Sequence, residues 1–240
     1  MKKLILPLFL LCAVVSQAQL LKKASSALSK ATGSTKGSSL SSEEIIAGLK
    51  EALSVGARNS ASKLSALDGF YGNSIIKVLL PTEVKKVETA LRSVGMGKLV
   101  DDAILSMNRA AEEASKSAAP IFVDAIKGMS VQDGLGILRG ADTAATGYLR
   151  GKTSAALTTA FRPTIESALQ QTGATRYWKD LVDTYNKLPT TIRKVNPDLA
   201  GHVTDKALGG LFYQVAQEEQ KIRKDPAARV TDILKKVFGS

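Results

Sequence analysis

The feature that most constrains the fold of this chain is the spacing of its apolar residues, which is helical along nearly the whole length after residue 40. In the clearest stretch, residues 98–117, Val100, Ile104, Met107 and Ala111 fall on one face of a helix. No segment alternates apolar and polar residues for more than a few positions, as a half-buried strand would. The sequence therefore predicts an all-α fold, a single-domain bundle of roughly eight to ten helices.

Local signals place several helix ends. Ser41 and Glu44 have the spacing of a capping box, so we expect the folded part to begin at residue 41. Asp142 is expected to cap a long helix that ends at Gln171 and that Pro163 breaks or kinks. A short final helix is expected over residues 226–239, because a proline at its start fits the first helical turn.

The first 18 residues have the pattern of a cleaved signal peptide. Lys2 and Lys3 precede an apolar run over residues 4–15, which is shorter than the ~20 residues of a transmembrane helix. Ser16 and Ala18 supply the small residues that a signal peptidase reads, so cleavage is expected after Ala18. This pattern predicts export to the periplasm or cell envelope of a Gram-negative bacterium, with no transmembrane segment in the mature chain.

The content of Cys and His limits the chemistry of the mature protein. Cys12 is the single cysteine, and it lies inside the predicted signal peptide, so a disulfide framework and a cysteine-based zinc site are excluded. Lipidation at Cys12 is disfavoured because Leu11, before it, is not small. One His cannot build a multi-histidine centre, so we expect neither metal nor cofactor. Residues 19–40, rich in Ser and Lys, are expected to form a flexible basic leader before a helical domain over residues 41–240.

Several blocks of the sequence, in this order and spacing, resemble a known family. They include GLKEAL (48–53), the loop at 68–73, MNRAAE (107–112), FVDAIK (122–127), ILRG (137–140) and KALGGLF (206–212). Together they resemble the bacterial exported family catalogued as domain of unknown function 4197, over roughly residues 40–239. The resemblance implies an exported or envelope protein of Gram-negative bacteria, and it transfers no activity to any residue.

Two local patterns resemble catalytic or metal sites. Residues 147–153 are similar to a phosphate-binding loop, but they have three residues between the glycines where that loop needs four, and no strand precedes them. Asp198, His202 and Asp205 share one helix face and could bind a divalent metal. We interpret that face as a solvated helix start, where an acidic residue complements the helix dipole.

Charge and composition favour a binding function. The formal net charge of +11 favours anionic partners, and export argues against nucleic acid. Partners of the expected kind are a lipid or other anionic amphiphile, or an envelope protein or polymer; the charge could also serve solubility alone. We expect a non-catalytic protein that binds an amphiphilic small molecule within the bundle. The alternatives are an interaction module for a protein or an envelope polymer, and a hydrolase that depends on carboxylates.

The best candidate site lies beside the apolar face of the 98–117 helix. Asp101, Leu105, Asn108 and Glu112 form a second line along it, with Arg109 adjacent. A solvated face has no need of Leu105, so we predict an internal polar network around Arg109, against the alternative of a solvated face with one stray leucine. The candidate binding residues are Asn108, Arg109, Glu112, Asp124, Asp142 and Tyr148, the last three being the expected partners of Arg109.

Overall fold

The computed structural model of the chain describes residues 41–187 and 194–224, and all regular structure in these two ranges is helical, with no strand. The predicted all-α class is confirmed. The elements, in chain order, are α1 (Ser42–Ser65), a short 3-10 helix (Thr82–Val84), α2 (Lys85–Ser93), α3 (Gly97–Ser115), α4 (Ala118–Lys127), α5 (Val131–Arg139), α6 (Ala144–Gln171), α7 (Ala174–Lys187) and α8 (Leu199–Lys224).

Part of what the sequence predicts lies outside the described residues. This holds for the signal peptide over residues 1–18, the basic leader over 19–40 and the final helix over 226–239. The total number of helices and the division into domains therefore stay predictions.

Two long helices, α6 and α8, form the centre of the described fold. They pack against each other; α3 covers α6, and α1 covers α8. The core is apolar and rich in Ala, Leu, Val and Ile, as the low aromatic content requires. Four phenylalanines add volume, and the rings of Phe122 and Phe212 meet edge to face with centroids 5.9 Å apart.

The start of α1 is the predicted one. The Ser41 hydroxyl accepts a hydrogen bond from the Glu44 amide, and the Glu44 carboxylate accepts one from the Ser41 amide. Ser130 and Asp133 form the same reciprocal arrangement at the start of α5. Both boxes satisfy amide groups that would otherwise lack partners in the first helical turn.

The start of α6 differs from the prediction. Thr143, and not Asp142, precedes the helix, and its side chain makes no capping hydrogen bond. The capping group comes instead from α8, where the Glu219 carboxylate accepts hydrogen bonds from the amides of Ala145, at 2.9 Å, and Thr146, at 2.8 Å. A cap supplied from 73 residues away cannot be inferred from local spacing.

Pro163 lies inside the long helix and does not break it, so the predicted break is wrong, while the predicted kink stays a prediction. The α6 helix runs from Ala144 to Gln171 with Pro163 in its interior. Proline lacks an amide hydrogen, so it frees the carbonyl four residues earlier, at Thr159. Thr159 and Pro163 both lie on the exposed side of α6, where water can bind that carbonyl.

Candidate functional site

The buried carboxylate of Glu112 on α3 holds the loop over residues 66–81 by its backbone. Its Oε1 accepts hydrogen bonds from the amides of Phe70, at 3.1 Å, and Tyr71, at 3.2 Å. The Phe70 side chain is completely buried, so this aromatic residue folds back into the core. Glu112 thereby stabilises backbone groups that have no helix or strand to pair with.

Asn108, one turn earlier on α3, binds the same loop further along. Its Oδ1 accepts from the amide of Val78 at 2.9 Å, and its Nδ2 donates to the carbonyls of Val78, at 2.8 Å, and Ile104, at 2.7 Å. The side chain is fully buried and its donors and acceptor are all used. Asn108 therefore pairs with the loop as a neighbouring strand would.

Arg109 completes this arrangement at the surface. Its Nη1 donates to Glu112 at 2.6 Å and its Nη2 donates to Asp68 at 2.7 Å. These bonds, the one to Glu112 first, raise the pKa of the guanidinium above its already high usual value. Asp68 has a φ of 64°, a backbone conformation that aspartate tolerates in tight loops. We call Asp68, Asn108, Arg109 and Glu112 the loop clasp.

The loop clasp contains a polar network around Arg109, but two of its expected partners lie elsewhere. Asp124 is exposed and its nearest cation is Lys127, one turn away at 3.6 Å. Asp142 forms an ion pair with Lys224 at 3.0 Å. The partners of Arg109 are instead Glu112 on its own helix and Asp68 on a distant loop. The prediction missed Asp68 because the helical pattern does not show how this loop packs against α3.

Tyr148, the third expected partner, also lies outside the loop clasp. It is partly buried on α6, with the Lys152 ammonium 5.7 Å from its ring centre. Burial raises the pKa of its phenol, and the negative charge of Asp133 adds to the effect. The structure thus brings together the three candidate residues on α3 and separates the other three from them. A ligand role for any of the six stays a prediction.

A large cavity opens along α3 next to the loop clasp, and Arg109 of the clasp is one of the residues that line it. This apolar groove has a volume of about 900 Å³ and is half enclosed between α2, α3, α7 and the first residue of α8. The side chains that line it include Val87, Leu91, Leu99, Leu105, Trp178 and Leu199. Leu105, which a solvated face would not need, faces this groove rather than the loop clasp.

The walls of the groove are peripheral helices. None of the residues of α2 is buried, and this helix packs mainly on α3 and on the short 3-10 helix. At the mouth, Met96, Leu99 and Tyr177 are 45%, 42% and 63% exposed, so apolar surface continues from the inside of the groove to its rim. Contiguous exposed apolar surface of this kind marks ligand or interaction sites.

Sequence reasoning missed Trp178, the single tryptophan of the chain. It lines the groove from α7, is only 5% exposed, and its indole Nε1 has no hydrogen-bond partner. Among the described residues, it is the one buried side-chain nitrogen or oxygen atom that has no hydrogen-bond partner. The sequence did offer a signal, because the only tryptophan of the chain lies on an amphipathic helix. A buried indole N–H usually needs a hydrogen-bond partner, so this residue could have been singled out.

The face that could bind a metal is engaged in other contacts. Asp198 accepts from the amide of Gly201 at 2.8 Å and from Arg162 at 2.9 Å. Burial opposes ionisation, but these two hydrogen bonds outweigh it and lower the pKa of Asp198. His202 forms a hydrogen bond with the carbonyl of Leu79 at 2.9 Å. Among the described residues, no three His, Cys, Asp or Glu side chains form a group that could hold a metal ion.

Two carboxylates are buried in the described part of the chain, Glu112 and Glu219. Each accepts hydrogen bonds from two backbone amides and from an arginine, and Glu219 also accepts one from the hydroxyl of Thr146. Their placement gives no support to the hydrolase alternative, because both stabilise chain segments. Residues 147–153, which resemble a phosphate-binding loop in sequence, lie within the continuous helix α6.

Comparison with known proteins identifies the family. None of the helices in residues 41–187 and 194–224 is long and apolar enough to cross a bilayer. Searches of curated proteins and of solved structures give no match. One family model, described as "Protein of unknown function (DUF4197)", matches residues 39–239. The chain therefore belongs to this family, as the blocks of its sequence predicted.

Proposed function

We propose that this protein binds an amphiphilic small molecule in the apolar groove, as an exported protein of the cell envelope. The observation that supports this function is the groove itself. Its volume of about 900 Å³ lies in the range of small-molecule sites, and its lining is predominantly apolar with a few polar groups. A hydrocarbon chain would bury its surface there.

The predicted signal peptide supports the envelope setting, where amphiphiles are abundant. One experiment tests both parts of the proposal, namely native mass spectrometry of the protein purified from its own envelope. A mature chain that begins at Gln19 and retains an additional lipid-sized mass is expected. A protein that keeps residues 1–18 would contradict export.

Two matched substitutions test whether the groove is the site. Leu105→Lys places an ammonium group in the groove, whereas Leu67→Lys places the same group on a residue that is 76% exposed. With the uncharged dye Nile red as probe, we expect Leu105→Lys to weaken binding at least tenfold and Leu67→Lys to leave it unchanged. Equal binding by both variants and the parent would contradict a site in the groove.

A second candidate function is an interaction module, and the loop over residues 66–81 favours it. Leu67 and Ile75 are 76% and 69% exposed on a loop that the loop clasp fixes in place. A rigid loop with exposed apolar side chains can dock against another protein. In the same envelope preparation, a partner that co-purifies with the parent and is lost with Leu67→Lys would favour this function over ligand binding.

A further inference from the structure

We propose that the groove selects uncharged amphiphiles whose oxygen accepts a hydrogen bond from the indole of Trp178, such as a long-chain alcohol. This inference rests on the proposed function and names its ligand class. It narrows the expectation from net charge, which favoured an anionic amphiphile.

The first observation is the free donor. Trp178 is 95% buried in the wall of the groove, and its Nε1 hydrogen has no acceptor. A buried donor without an acceptor is unfavourable, and such groups are rare in native proteins. An oxygen atom on a ligand would remove this penalty, so ligands with an acceptor bind better than hydrocarbons of the same shape.

The second observation is that the charged side chains lining the groove already have partners of opposite charge. Arg109 donates to both Glu112 and Asp68, and Asp102 accepts from Lys98 at 2.7 Å. Lys179 donates a hydrogen bond to Asp183, which raises the pKa of that lysine, and the negative charge of Asp180 adds to the effect. An ionised head group entering the groove would lose water and gain no counter-charge, which is costly.

The third observation concerns a pair of hydroxyl groups. Thr172 donates to the carbonyl of Leu169 at 3.0 Å, so in its 2.7 Å contact with Ser106 the proton comes from Ser106. The oxygen of Ser106 can therefore still accept a hydrogen bond. Both hydroxyl residues line the groove, where the indole of Trp178 thus offers a donor and the oxygen of Ser106 an acceptor. An alcohol matches this combination, because its hydroxyl group both donates and accepts.

The Nε1 atom is covered in the structure, so the bond to a ligand requires side chains of the groove to shift as the ligand enters. We infer that binding changes the environment of the indole directly. Since the chain has a single tryptophan, its fluorescence and its one indole N–H resonance both report on the groove alone.

The test measures the binding of four probes to the full chain at pH 7 by calorimetry. The probes are 1-decanol, decanoate, decyltrimethylammonium and naphthalene, the last having no hydrogen-bond acceptor. We expect decanol to bind at least tenfold more tightly than either ion. Trp178→Phe removes the donor, so decanol binding should fall about five- to tenfold while naphthalene binding is retained.

Each outcome separates this inference from the proposed function. If none of the four probes binds the parent, the proposed function itself fails. If decanoate or the cation binds as tightly as decanol, the groove remains a site but the preference for an uncharged ligand is wrong. If the variant binds decanol as well as the parent does, the hydrogen bond is wrong.

A measurement on the unchanged protein covers the case in which Trp178→Phe does not fold. In protein labelled with nitrogen-15, saturation with decanol should move the indole proton downfield, as a new hydrogen bond does. An indole resonance that stays in place at saturation would overturn the role of Trp178.

Discussion

The α3 helix borders two regions that differ in whether their buried polar groups have hydrogen-bond partners. In the first region, the loop clasp gives each polar atom of Asn108 and Glu112 a partner within the chain. In the adjacent groove, which Arg109 also lines, the indole of Trp178 has no partner. The first region is closed by a loop, and the second is open to the surface between two peripheral helices.

This difference suggests different roles for buried polar groups that are paired within the chain and for those that are not. A buried polar group that is fully paired fixes one arrangement of the chain and leaves nothing for a ligand to satisfy. A buried polar group without a partner weakens the fold slightly and gains a partner only when a ligand supplies one. The clasp therefore fixes the loop, and our proposal of ligand binding concerns the groove, although the sequence drew attention to the clasp residues.

The largest effect is expected from opening the loop clasp. Glu112→Ala leaves the amides of Phe70 and Tyr71 and the Arg109 guanidinium without their shared acceptor. The free energy of unfolding should fall by about 3–5 kcal/mol, because each amide left without an acceptor costs about 1–3 kcal/mol and the guanidinium also loses its closest partner. Denaturant unfolding beside the parent measures it.

The neighbouring residue provides the control for this change. Glu113 is exposed and pairs with Lys116 on the surface of α3, so Glu113→Ala should cost at most about 1 kcal/mol. Similar losses for the two variants would show that the loop clasp does not stabilise the protein and would remove the contrast with the groove.

A smaller effect is expected from Arg109→Ala, because the side chain is 36% exposed. Glu112 keeps two amide donors when the guanidinium is removed, so we expect a loss of about 1–2 kcal/mol in unfolding free energy. Arg58→Ala, on the exposed side of α1, is the matched control and should change it by less than about 0.5 kcal/mol. A loss equal to that of the control would place Arg109 outside the stabilising network.

The smallest effect concerns the groove wall formed by α2. Asp101 accepts from Arg92 at 2.8 Å and so joins α3 to α2, and this hydrogen bond lowers the pKa of the carboxyl group. A carboxyl group with a lowered pKa stabilises the folded form at neutral pH and loses that effect as the pH falls below about 4. Amide hydrogen-exchange protection in α2 should then decrease, while that of α6 is retained.

A neutral substitution should reproduce this acid effect. Asp101→Asn is expected to lower the exchange protection of α2 at pH 7 and to abolish its response to acid. Asp102→Asn is the control, because Asp102 pairs with Lys98 within α3. If the amide hydrogen-exchange protection of α2 is the same in both variants as in the parent, the ion pair does not hold α2 in place and its apolar contacts do.

How far the sequence predicts the site depends on the range of the interaction. The second line on α3 was visible because Asn108 and Glu112 are four residues apart, which places them on one helix face. The partners were not visible, because Asp68 and the amides of the 66–81 loop come from a segment without a helical pattern. The same limit explains why Glu219 of α8 was not expected to cap α6.

The sequence alone determined the all-α class, the start of α1 and the end of α6, because periodicity and capping boxes act over a few residues. The order and spacing of its sequence blocks identified the family. The sequence also showed that Leu105 was out of place on a solvated face. Only the tertiary structure decided what Leu105 meets, since the groove exists where α2 and α7 leave α3 uncovered. A cavity depends on how distant helices pack, which the sequence does not show. The unpaired indole of Trp178 could be recognised as a candidate ligand-binding group only because it lines that cavity.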